Sequence, residues 1–204
     1  MRAARCGMAA AGVVIALLAA GCGTSSVGGT PEPGGSPGTA GATTTRASAS
    51  STSSQERLAP PVTNPKKLRG LDPCELLTAA QLTELGMTGQ PEKGRSEFGE
   101  DDCTWKDSAI YISIAPDTKR QGLEEVYRRK SNVVNFQPST VDGYPAVRAN
   151  FTEKFCNVSV GVADDQVFHL TFGVVTSKKP EHQDTCGFAE KVSGMVLQNL
   201  PAGG

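Results

Sequence analysis

Apolar residues alternate with polar ones at Ile110, Ile112 and Ile114, and again at Cys156, Val158, Val160 and Val162. A period of two places each set on one face of a strand. The same pattern predicts strands over residues 139–141, 144–151, 155–163 and 166–175, with Asp142-Gly143 turning the first into the second. Cys103 to Lys106 reads as the first arm of a hairpin, with Asp107-Ser108 as its turn and Ile110 opening the second arm. The period changes at Leu123, Val126, Tyr127 and Lys130, so residues 119–130 read as an amphipathic helix started by Pro116-Asp117-Thr118, with Glu124, Glu125, Arg128 and Arg129 outward. Cys186, Ala189, Val192, Val196 and Leu200 form the inward stripe of a closing helix over residues 180–199.

Two short helices are expected earlier. Asp72 is placed to cap one, with Pro73 at its first position and Glu75 reaching back, and Thr78 with Gln81 starts another that Gly86 stops. The fold class is therefore α+β: an antiparallel meander packed against N-terminal, middle and C-terminal helices.

The chain before these elements has another character. All 11 aromatic residues lie between Phe98 and Phe188, and of the 38 residues from 23 to 60, 26 are Gly, Ser, Thr or Pro. Such a stretch lacks the apolar surface that offsets ordering entropy. Taking residues 23–68 as a flexible coil gives a reach of roughly 35 to 40 Å. Further forward, Arg2 and Arg5 precede an uncharged stretch, residues 8–20, that contains Val13, Val14, Ile15, Leu17 and Leu18. As a helix it is about 20 Å long, short of a hydrocarbon core of about 30 Å, and it reads as a cleaved signal.

Leu18-Ala19-Ala20-Gly21-Cys22 follows, and it resembles the lipobox of bacterial lipoproteins, with Ala19 where Leu is commoner. The resemblance implies cleavage after Gly21 and a diacylglyceryl thioether on Cys22, two acyl chains being enough for durable anchoring. The expected organisation is a signal over residues 1–21, a lipidated cysteine and tether over 22–68, and a folded domain over 69–204. The implied place is the extracytoplasmic face of the cell membrane, with the membrane as a partner through Cys22.

Charge and cysteine usage narrow the functional classes. The chain is near neutral, at −1, and residues 69–204 carry 14 basic and 19 acidic groups without a basic run, so nucleic acid is not an expected partner. Cys74, Cys103, Cys156 and Cys186 are an even set in an exported domain, where disulfides persist. Three pairings are open. The local patterns favour Cys74 with Cys103, and Cys156 with Cys186, the latter across a helix-on-sheet contact. Zinc has no CxxC or HxxxH spacing to support it, and no cofactor or metal is expected.

The order of DPCELLT, CTW, DGYPAV, a cysteine-bearing strand and a last cysteine on a helix ending at Leu200-Pro201 is similar to a known family. It resembles the actinobacterial secreted lipoproteins grouped as domain of unknown function three-five-five-eight. The resemblance spans residues 71–201 and implies an extracytoplasmic α+β domain with two disulfides. It carries no substrate or catalytic residue. The order of elements is also similar to that of Mog1/PsbP-like domains.

Candidate chemistry is sparse. The chain has two histidines, His169 and His182, and no GxSxG. His169 reads as a sheet-face side chain and His182, among Glu181, Gln183 and Asp184, as a solvated or capping one. Glu100-Asp101-Asp102 and Asp164-Asp165 read as solvated turns, lacking the alternation of a calcium loop. Trp105 and Tyr144 are the side chains best suited to anchor a ligand, with a core role favoured for Trp105. No catalytic residue is assigned. The expectation is a non-enzymatic binding module for a small ligand or an envelope protein. A carrier of lipid or another small hydrophobe is the alternative, which requires an apolar pocket between sheet and helix. A hydrolase would require His169 beside a serine or an acid in a cleft.

Overall fold

The structure is a computed structural model and describes residues 57–203; Cys22, the signal and most of the tether lie outside the described residues. Seven strands, β1 (Pro91–Arg95), β2 (Asp101–Lys106), β3 (Ile110–Asp117), β4 (Gln137–Val141), β5 (Tyr144–Ala149), β6 (Phe155–Ala163) and β7 (Gln166–Val174), form one sheet in the order β1-β2-β3-β7-β6-β5-β4. All neighbours are antiparallel. Two meanders, β1 to β3 and β4 to β7, join where β3 pairs with β7 from Ile110↔Val174 to Asp117↔Val167. Three helices complete the domain: α1 (Ala79–Glu84), α2 (Gly122–Arg128) and α3 (Thr185–Asn199).

The front face of the sheet carries the alternating residues read from the sequence. Trp105 on β2, Ile112 and Ile114 on β3, Val158 and Val160 on β6, and Phe168, Leu170 and Phe172 on β7 are completely buried. Against them α3 lays Cys186, Ala189, Val192 and Val196, and Leu200 closes the stripe. Burying large apolar side chains contributes about 1.5–3 kcal/mol each, so this layer dominates the stability. The disulfides brace the same layer. Cys74–Cys103 ties the 3₁₀ turn Pro73–Glu75 to β2, and Cys156–Cys186 ties β6 to α3, the pairing that the local patterns favoured.

Several local expectations are corrected. The residue 119–130 helix is shorter because Gly122 takes a φ of +54, in the left-handed region, so α2 cannot extend backwards through it. Lys130 falls in a separate 3₁₀ turn, Lys130–Asn132, and is exposed. Glu124 and Glu125 are not free in solvent: Glu124 accepts the amides of Leu58 and Ala59, and Glu125 pairs with Arg128 and Arg129. The closing helix is interrupted. Pro180–His182 is a 3₁₀ turn, and α3 starts afresh behind Asp184, whose carboxylate accepts from the Gly187 amide.

At the first helix Asp72 accepts from the Cys74 amide, but the Glu75 carboxylate makes no return bond to the Asp72 amide. The Thr78–Gln81 capping box is complete. Residues 57–68, assigned to the tether by composition, lie against the domain. Ala59 and Leu68 are buried, Lys66 bridges to Ala202, and the Lys66 amide donates to the Val162 carbonyl. Backbone pairing holds this segment where its side-chain composition gave no sign of it.

Candidate functional site

The back face of the sheet divides into two halves. On the β5–β6 side, Leu123 of α2 packs on Gly161, and Leu123, Val147, Ala149, Val167 and Ala59 form a second, smaller apolar cluster. No described helix packs over the other half, whose middle is polar, with Asp102 and Lys106 on the β2 positions that flank Thr104. Register sets Thr104 (β2), Ser113 (β3), Thr171 (β7) and Asn157 (β6) side by side in one row. Thr104 Oγ1 donates to Ser113 Oγ at 2.9 Å, and Thr171 Oγ1 donates to Asn157 Oδ1 at 3.0 Å. All four are half-buried, and Asn157 Nδ2 has no protein partner among the described residues. The row is uncharged from Thr104 to Asn157, with Glu92 beyond it on the edge strand β1.

Aromatic rings bound this row along β7. One residue pair to one side of it, Tyr111 and Phe155 both oppose Gly173. The Tyr111 ring lies across that glycine, where a Cβ would overlap it. Glycine at 173 is thus what lets the phenol lie flat on the sheet. Burial raises the Tyr111 pKa, so the group stays neutral. On the other side the β1–β2 turn places Phe98 over His169, ring centroids 4.1 Å apart, and Arg120 stacks on Phe98 at 4.6 Å. That turn is held down: Glu100 accepts both the amide and the hydroxyl of Thr118, and Lys119 donates to the Gly99 carbonyl.

Beneath Phe98, three adjacent strands bring Ser159, His169 and Asp117 together. Ser159 Oγ lies 2.9 Å from His169 Nδ1, and His169 Nε2 is 3.8 Å from Asp117 Oδ2. Asp117 is completely buried and receives the Arg120 guanidinium at 2.6 Å. Burial alone would raise its carboxyl, but His169 and Arg120 outweigh burial and hold it down at about 2. Ser159 and Asp117 are the kinds of neighbour that a hydrolase would require beside His169, although the sequence did not identify them. The arrangement nevertheless differs from an acyl-transfer triad in reach and access. The carboxylate is beyond hydrogen-bond distance, Ser159 is only 7 % exposed, and Phe98 stacks on the imidazole.

The remaining candidates resolve as follows. His182 is buried, not solvated. Its ring meets the edges or faces of Phe172 and Phe188, its Nδ1 lies 2.6 Å from Ser177 Oγ, and burial lowers its pKa. Trp105 is core. Tyr144 donates its hydroxyl to the Asn64 carbonyl at 2.7 Å and so holds the incoming chain. Asp101 and Asp102 lie in β2 rather than in a turn. Asp164 and Asp165 pair with Arg57 and Arg69. No cluster of three or more potential metal ligands occurs among the described residues, and no helix among them is long and apolar enough to cross a membrane.

Clefts of about 470, 420 and 510 Å³ occur among the described residues, the second reaching Leu68 and Leu71 at the margin of the front core. The first is walled by the Arg57–Asp164 pair and by the Glu124 contacts, so the protein already satisfies its polar groups. The second is walled by the Lys93–Asp72 and Arg95–Asp101 pairs.

Comparison with known families decides membership. A family model described as a protein of unknown function, DUF3558, matches residues 17–199. The chain belongs to the DUF3558 family. No curated protein and no solved structure matches it. Membership in DUF3558 therefore adds no substrate to the geometry, and the site is argued from its own residues.

Proposed function

We propose that this DUF3558 protein is an extracytoplasmic lipoprotein, anchored at Cys22, whose domain is a non-enzymatic binding module that presents the open half of its back face. The observation that carries this reading is the contrast in coverage. One sheet face is sealed by α3 and two disulfides, whereas the other leaves a row of hydroxyl and amide groups, flanked by Tyr111 and Phe98, without a covering element. Half-buried polar groups with open valences are suited to direct or water-mediated contacts with a partner.

A carrier of small hydrophobes fits less well. The space between sheet and α3 is filled by Trp105, Phe168, Phe172 and Phe188, each at most 4 % exposed. Hydroxyl-radical footprinting on intact cells tests the binding face. Protection of Tyr111 and Phe155, absent from the purified chain, is expected, and equal labelling in both states refutes it. Mass spectrometry of the membrane fraction tests the anchor, since a mature N-terminus other than acylated Cys22 contradicts it.

A further inference from the structure

We propose that the surface at the root of the tether, formed by residues 57–61 and the outer side of α2, docks on the phosphate-bearing surface of the membrane that holds Cys22. This rests on the lipoprotein reading above and adds a second, non-covalent contact to its anchor. The exposed large apolar side chains among the described residues are Leu58 at 52 %, Val134 at 67 % and Val175 at 43 %, and the first two lie on this side of the molecule. Leu58 shares a cleft with Arg57, Pro60 and Arg128, and a second cleft that starts from the same Pro60 is lined by Pro61, Tyr127 and Pro138. Val134 belongs to the loop that sets Phe136 edge-on against Tyr127. Proline, aliphatic and phenol groups thus form one strip, larger than the scattered apolar residues that a surface ordinarily shows.

The charges of the strip suit a headgroup layer. It carries four cations, Arg57, Arg128, Arg129 and Lys130, and three carboxylates, Asp164, Glu124 and Glu125. Asp164 is engaged by Arg57, and Glu124 by the Leu58 and Ala59 amides. Arg128 and Arg129 share Glu125, which is 13 % exposed against 49 % and 57 % for the two arginines, so cations stand outermost. Lys130 is exposed and has no ion-pair partner among the described residues. Guanidinium N–H groups left over from a shared carboxylate pair well with phosphate oxygens, and an apolar strip with a cationic rim is what an interfacial surface requires.

The tether determines what meets this strip. The described chain starts inside it, at Arg57, and by composition the 35 residues from 22 to 56 reach roughly 30 to 35 Å as a coil. An acylated Cys22 therefore keeps a lipid surface within range of the root, and an intramolecular contact needs little intrinsic affinity. A soluble partner has no such advantage.

The test is hydroxyl-radical footprinting of the full acylated chain on vesicles of phosphatidylglycerol and phosphatidylcholine, with the unacylated Cys22→Ser chain in solution as reference. Labelling of Leu58 and Tyr127 is expected to fall about threefold or more on the vesicles, while Leu82, half-buried on α1, changes less than about 1.5-fold. High salt should reduce that protection by about half. Leu58→Ser combined with Lys130→Glu, both at exposed side chains, should return Tyr127 labelling to within about 1.5-fold of the reference, whereas Val175→Ser should leave it protected. Circular dichroism of the double variant separates lost docking from lost fold. Equal labelling of Leu58 and Tyr127 in the two states overturns the proposal, as does protection that extends equally to Leu82 or survives the double substitution. Protection that grows with the concentration of the Cys22→Ser chain, without vesicles, assigns the strip to a second copy and overturns it as well. If docking fails while Cys22 is acylated, the anchor stands alone; if the membrane fraction lacks acylated Cys22, both fall.

Discussion

The two faces of the sheet use the same strands for different ends. On β7, Phe168, Leu170 and Phe172 point forward into a dry layer, while His169, Thr171 and Gly173 point backward into a patch of hydroxyls and rings. The front face is overdetermined: apolar alternation, a helix stripe and two covalent ties all specify one packing. The back face is half covered, and its polar side chains satisfy one another in pairs without sealing the surface. Stability therefore resides in front and the capacity to bind resides behind, so substitutions on the two faces should be separable.

Breaking the front ties should have the largest effect. Each disulfide closes a separation of 29 or 30 residues, worth about 3 to 4 kcal/mol in the chain-entropy account, and losing both removes much of a typical domain's stability. Reduced protein is expected to unfold at far lower denaturant than the oxidised form, and coincident transitions for the two would contradict the bracing role. Phe172→Ala, in the same layer, should cost about 3 to 5 kcal/mol by the same measurement.

The Asp117 cluster is the next largest, because its buried carboxylate fixes Arg120, which stacks on Phe98. Its folded carboxyl, at about 2, lies below the unfolded value of 3.8, so its contribution is present above about pH 4 and is lost as pH falls through 2. The shift corresponds to roughly 2 kcal/mol. Asp117→Asn should cost about that much at neutral pH and flatten the acid limb of the stability curve. An unchanged acid limb would show that the pair contributes nothing.

His182 gives a front-face pH dependence of opposite origin. Burial lowers its folded pKa below 6.5, so the unfolded chain binds the proton more readily and stability is lost as pH falls from 6.5 towards the folded value. Urea midpoints should decline over that range in the parent protein and less steeply in His182→Phe, which fills the space between Phe172 and Phe188. Equal slopes would dismiss His182 as the cause.

Much of the front face was legible in the sequence, and the back face was not, for physical reasons. Ile110, Ile112 and Ile114 declare their face by period alone, and Cys156 and Cys186 lie on stripes that must meet if helix covers sheet. β1 carries no such signal: Pro91, Glu92, Lys93, Gly94 and Arg95 are all exposed, and only backbone pairing to β2 makes them a strand. His182 sits among polar neighbours in sequence, while Phe172 and Phe188, which bury it, arrive from β7 and α3. The meeting of Asp117, His169 and Ser159 depends on β3 lying beside β7 and β7 beside β6. Periodicity reports faces but not strand order, so neither that cluster nor the row from Thr104 to Asn157 could be assembled from the chain alone.

The smallest expected effect is the most discriminating. If the polar row existed for stability, Thr171→Val would leave Asn157 Oδ1 without its donor at a half-buried position and cost about 1 kcal/mol or more. If the row exists to meet a ligand, water can replace the lost donor on an open face, and valine suits the strand backbone, so the change in denaturation free energy should stay within about 0.5 kcal/mol. Leu170→Ala, one residue away but facing front, should cost about 2 to 5 kcal/mol in the same assay. A large penalty at 171 would make the back face a second structural layer, and neighbouring residues with opposite sensitivities would establish the division of labour between the faces.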